Sequence, residues 1–177
     1  MKNINWDNVE AAGNYTKIPA GGYVCGIVNV EDMPEKEYLK FDFDIAAGEY
    51  KNHFSERYSG KDFWGANFIK SYKEKALPFF KAMLEAFKES NSGFVVNSSD
   101  EQRMKRKFIG LVLGYEEYIG NDGKVKERMY VDQILPVSKI QSGEFTVPEL
   151  KRLNGASDVP PVNDDIPPVE DDDLPWN

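Results

Sequence analysis

Residues 38–46 read Tyr-Leu-Lys-Phe-Asp-Phe-Asp-Ile-Ala. Leu39, Phe41, Phe43 and Ile45 alternate with Tyr38, Lys40, Asp42 and Asp44, and side chains of a strand point alternately to opposite faces. This stretch therefore specifies a strand with one face in a core and the other in water. Upstream, the turn Pro19-Ala20-Gly21-Gly22 opens a second β-branched run, Tyr23-Val24-Cys25-Gly26-Ile27-Val28-Asn29-Val30, in which Gly26 marks a bulge or tight bend. Downstream, 63–71 reads as a third strand.

A helix is expected over 73–90. Leu77, Phe80, Leu84 and Phe87 recur at helical spacing, Pro78 fits a first turn and Gly93 an exit. Phe79, Phe80 and Phe87 are assigned to its core contacts. Residues 107–119 form a further long strand, Asn121-Asp122-Gly123 a turn, and 126–137 the hairpin partner. Thr146-Val147-Pro148-Glu149 opens a short second helix. Three strands, a helix and a two-stranded hairpin predict a mainly β fold, the five-stranded Greek-key barrel called the OB-fold, with its helix between the third and fourth strands.

The chain has 177 residues, with 22 basic and 30 acidic side chains. All 22 basic residues lie at or before Arg152, and seven acids follow it, so the body carries 23 acids against 22 bases and the formal charge of -8 belongs to the tail. Half of the ten prolines lie from Pro160 onward, with no aromatic residue there before Trp176. Too little apolar surface is present to offset ordering entropy. The division is a binding domain over 1–153, a disordered Pro/Asp-rich linker over 154–170, and an acidic tip over 171–177.

One cysteine, Cys25, and one histidine, His53, exclude an internal disulfide and a cysteine/histidine zinc site. No run of about 18 apolar residues suggests a membrane span, so a soluble protein is expected. His53 lies in a polar stretch without a nucleophile motif and reads as a surface or turn residue. Asp42, Asp44 and Glu49 with Lys51 imitate a metal nuclease site, the least favoured alternative. The expectation is a protein that is not an enzyme and needs no cofactor or metal.

Between 61 and 107 ten basic residues face six acidic ones, interleaved with Phe63, Trp64, Phe68 and Tyr72. Single-stranded nucleic acid requires this mixture, because cations track phosphates while aromatic faces stack bases. The candidate phosphate contacts are Lys61, Lys70, Arg103, Lys105, Arg106, Lys107, Lys124, Lys126 and Arg128. Trp64, Phe68, Tyr115, Tyr118 and Tyr130 are the candidate stackers.

At the end of the chain, Asp171, Asp172 and Asp173 precede Leu174, Pro175 and Trp176. Carboxylates meeting a basic rim and an apolar tip entering a pocket make a partner-binding peptide. This ending resembles the acidic tips of bacterial single-stranded DNA-binding proteins, although those end on phenylalanine and this chain ends Trp176-Asn177. Residues 15–23 (Tyr-Thr-Lys-Ile-Pro-Ala-Gly-Gly-Tyr), the strand running to Val30-Glu31, and 38–50 look like a group of phage and prophage proteins thought to be OB-fold single-stranded DNA-binding proteins. The resemblance implies a non-catalytic, sequence-independent single-stranded DNA-binding protein in the cytoplasm of a bacterial host. It would act in replication and recombination, recruit partners of those pathways through its tip, and have no membrane partner. The alternative is a protein-interaction module with an acidic tail and no DNA binding. Homo-oligomerisation and the choice between DNA and RNA stay open.

Overall fold

The structure, a computed structural model, describes residues 16–97 and 99–153. The alternating segment forms β2 (Tyr38–Ile45), and Leu39, Phe41, Phe43 and Ile45 are all buried, as the pattern requires. The preceding run forms β1 (Gly21–Met33), and β3 spans Asn67–Ser71. β4 (Phe108–Ile119) and β5 (Val125–Leu135) make the hairpin, whose turn carries Gly123 at φ 72°. The five strands form one antiparallel sheet in the order β3-β2-β1-β4-β5. The sheet is open, with β3 and β5 as its edges.

β1 serves both halves of the sheet. Its residues 21–26 pair with β4 and its residues 25–33 with β2, so the ladders overlap only at Cys25 and Gly26. Gly26 stands at this exchange of partners, paired with both Asp44 and Phe108. The bulge itself lies two residues on, between Ile27 and Asn29, and leaves Val28 38% exposed.

The third strand is shorter than expected because 63–66 are held by other means. Phe43 N–H donates to Ala66 O at 3.0 Å, and the Trp64 indole N–H donates to Phe43 O at 2.9 Å. A side chain thus takes the place of a ladder amide. The expected helix begins with a 3₁₀ turn (Glu74–Ala76) and continues as α2, Leu77–Ser90. Met83, Leu84, Ala86 and Phe87 form its buried face. Leu77 and Phe79 are exposed and Phe80 only half-buried against Tyr72, which corrects the reading of the first turn as core.

Two short helices depart from the sequence reading. α1 (His53–Tyr58) was not expected, since six polar-flanked residues give no periodic signal. Its amides are satisfied from a distance. Asp44 Oδ1 accepts from Phe54 N–H at 2.9 Å and Ile45 N–H at 2.8 Å; Asp44 Oδ2 accepts from Ser55 N–H at 3.0 Å and from the Ser55 hydroxyl. Asp44, read as a solvated residue, is therefore 7% exposed and works as the cap of α1. The other helix, α3, spans Val137–Ser142 and ends on Gly143 at φ 75°, whereas 146–149 are not helical. That segment is fixed by the sheet instead. The Phe145 ring lies where a Cβ on Gly22 would stand, and Ile140 likewise fills the space over Gly110. Lys151 N–H donates to Tyr115 O at 3.1 Å and Lys151 O accepts from Glu117 N–H at 2.8 Å, binding the strap to β4.

The aromatic core centres on Phe41, stacked on Phe68 at 4.9 Å with Phe87 beyond. Among the described residues no helix is long and apolar enough to cross a membrane. The linker and tip assigned to 154–177 lie outside the described residues.

Removing the cap orphans two backbone amides of α1 at once. Asp44→Ala should lower unfolding stability by about 3 kcal/mol, and Asp44→Asn by less, since hydrogen bonds to charged groups contribute about 1.5–3 kcal/mol. Urea denaturation followed by tryptophan fluorescence measures both.

Candidate nucleic-acid interface

Directly opposed residues of an antiparallel pair share a face. The ladders therefore align three rows on the outer face of β1, β2 and β3: Met33, Tyr38 and Ser71; Glu31, Lys40 and Ile69; Asn29, Asp42 and Asn67. Beside the last two rows, Lys40 and Asp42 join Lys61, Asp62, Phe63 and Trp64 in lining an open cavity of about 330 Å³. α1 and its following turn carry 61–64 to this position, and the Trp64–Phe43 hydrogen bond sets the plane of the indole. Phe63 is 43% exposed.

A third lysine approaches from the segment before β4. Lys105 Nζ lies 3.4 Å from Asn29 Oδ1, and the Asn29 side chain hydrogen-bonds the Asp42 carboxylate. Arg106 N–H donates to Ile27 O at 2.8 Å, while Ile27 N–H donates to Lys107 O at 2.9 Å, so 106 and 107 flank the bulge of β1. Arg106 adopts φ 62°, the left-handed region that a side chain disfavours.

Of the residues read from sequence, the structure thus gathers Lys61, Trp64 and Lys105 at one end of the outer face, with Arg106 and Lys107 beside the same stretch of β1. Lys40 and Phe63 complete the mixture of cations and rings. The signal for Lys40 lay in the wet parity of 38–46, which outranks the density of charge along the chain as a guide to position.

The remaining candidates lie elsewhere. Phe68 is corrected to a core residue, 9% exposed beneath Phe41 and Phe43. Lys70 shares its parity, opposite Leu39, and is aimed over Phe79 at 5.8 Å on the side away from the cavity. Burial pulls its ammonium below the usual lysine range. Arg103 donates from Nη1 to Val95 O and Val96 O and covers the Phe94 ring, holding the loop after α2. Tyr115 donates to Ile18 O at 2.7 Å and receives Lys17 on its ring, in a second cavity of about 310 Å³ whose lysine is also paired with Glu127.

On the hairpin, Arg128 Nε meets Glu116 at 2.7 Å and covers Tyr118, Lys126 meets Asp122 at 3.1 Å, and Lys151 lies over Tyr130 at 3.8 Å. Lys124 is exposed at the turn. These cations already have partners on the protein, with Lys124 the exception among the three hairpin cations singled out by the sequence.

The acids of the nuclease alternative do not converge. Asp44 is committed to α1, and among the described residues no group of three His, Cys, Asp or Glu side chains is arranged to hold a metal ion. His53 opens α1 between Tyr50 and Phe54, and burial together with Arg57 lowers its pKa.

Asp42 lies on the floor of the cavity, on β2. Burial raises its pKa, Lys40 and the Asn29 side chain oppose that rise, and Glu31 adds to it. A carboxyl whose folded pKa exceeds its unfolded value of about 3.9 binds more protons folded than unfolded, so stability falls as pH rises from there through the folded pKa. Asp42→Asn should therefore stabilise the protein near neutral pH, with the advantage vanishing below about pH 3.9; paired urea titrations across that range measure it. Arg106→Gly should also stabilise, by up to about 1 kcal/mol, because glycine reaches positive φ without steric cost. Thermal unfolding of the two proteins tests this.

The chain matches no protein-family model and no curated protein sequence.

Proposed function

We propose that this chain is a non-catalytic single-stranded DNA-binding protein of phage type, built on an OB-type barrel, whose ligand runs over the outer face of β2. The observation that carries the reading is the cavity joining Trp64 and Phe63 to Lys40 and Lys61, with Lys105 beside it. Rings offer stacking surface to any base, and ammonium groups at its rim offer phosphate contacts without reading sequence.

The topology supports the same reading. A strand that pairs with both β2 and β4, an order β3-β2-β1-β4-β5, and a helix between β3 and β4 are what an OB barrel opened between its third and fifth strands would have. Such barrels bind oligonucleotides on the face of strands 2 and 3. The C-terminal strap covers β1 and β4 on their outer side at Gly22 and Gly110 and leaves the β2 face open. The acidic tip, in this proposal, recruits replication or recombination proteins.

Titration of fluorescent oligonucleotides should give tighter binding to single strands than to duplex. With about four cations on phosphates, log K should fall with log salt at a slope near -3. Lys61→Ala with Lys105→Ala should lower that slope by about 1.4, whereas Lys126→Ala with Arg128→Ala should leave it nearly unchanged, because the hairpin cations are spent on Glu116 and Asp122. Equal affinity for duplex, or a slope insensitive to Lys61 and Lys105, rejects the reading; absence of binding at low salt favours the protein-interaction module.

A further inference from the structure

A groove shaped for phosphates alone has no use for a carboxylate in its lining. Asp42 and Asp62 nevertheless line this one together with Lys40, Lys61, Phe63 and Trp64, and of the two Asp42 stands on the β2 floor, paired in register with Asn29 and Asn67. Its Oδ1 is buried and has no hydrogen-bond partner. The neighbouring Asn29 is turned with its amide toward the carboxylate, since its own carbonyl faces Lys105 Nζ. Asp42 is thus kept as an acceptor with unused capacity, and a buried acceptor without a donor is costly until a ligand supplies one.

The donor's chemistry follows from the surroundings. A ring stacked on Trp64 or Phe63 would turn its edge toward the β2 face, and the χ2 torsion of an aspartate is broad, so a partial rotation can bring a carboxylate oxygen out to meet it. Guanine presents adjacent N1–H and N2–H donors on its Watson–Crick edge. Thymine presents one N–H between two carbonyls, which a carboxylate repels. Acidic side chains read amino groups of bases by this complementarity.

We infer that Asp42 is a specificity-determining residue that selects guanine over thymine at one base position of the groove. The inference rests on the single-stranded DNA reading and adds one selective position to an otherwise sequence-tolerant track.

The test compares d(TG) repeats with d(TI) repeats of equal length, which differ only in the N2 amino group, and with oligo(dT), all in lithium salt to suppress quadruplexes. The full chain should prefer d(TG) over d(TI) by roughly fivefold or more, within the range that a base-edge contact supplies. Asp42→Ala should bring that ratio to about one and tighten oligo(dT) binding, because a negative charge leaves the groove. Equal binding of d(TG) and d(TI) by the unaltered protein, with the salt dependence intact, overturns the inference and leaves the DNA-binding reading standing. A preference that survives Asp42→Ala overturns it as well, and absence of binding to all three overturns both.

Discussion

The Asp44 carboxylate is the point on which the candidate site hangs. Four donors converge on it: the amides of Ile45, Phe54 and Ser55, and the Ser55 hydroxyl. A six-residue helix has too few internal hydrogen bonds to stand alone. Capped from β2, α1 sets Phe54 and Tyr58 into the core and delivers the chain to Phe63 and Trp64, whose indole then closes the ladder at Phe43. The ring that borders the cavity is oriented by the strand that forms its floor.

The two halves of the sheet are finished differently on their outer side. Over β1 and β4, glycine allows close approach, and the strap of 136–153 lies against the backbone at Gly22 and Gly110. Over β1 and β2, the rows ending in Asn29, Asp42 and Asn67 carry full side chains. Side-chain volume therefore decides which part of the surface is packed by the strap and which part is left open. The bulge between Ile27 and Asn29 lies at the border between the two regions, where 105–107 cross β1.

Charge density along the chain proved a poor guide to charge available in space. Lysine and arginine on the β4–β5 hairpin meet acids across the strands, and exposed pairs of this kind contribute little to stability while removing cations from other duties. Arg103 is spent on carbonyls of Val95 and Val96. Lys40, isolated in sequence among Leu39, Phe41 and two aspartates, instead lines the cavity.

The sequence by itself determined the strands. Alternation over 38–45, β-branching over 23–30, the Asn121-Asp122-Gly123 turn and the helical stripe ending at Phe87 are local patterns, and each answers to backbone geometry that a few neighbouring residues control. The near-neutral body and the wet parity of Lys40 and Asp42 were legible for the same reason. Tertiary structure alone decided that Asp44 caps a helix ten residues on, that Phe68 lies beneath Phe41, that 63–66 leave the strand to a tryptophan side chain, and that 145–151 cross glycines instead of coiling. Each of these depends on a partner distant in the chain, and the free energy of burying or hydrogen-bonding a group belongs to the pair, so neither residue's local sequence contains it.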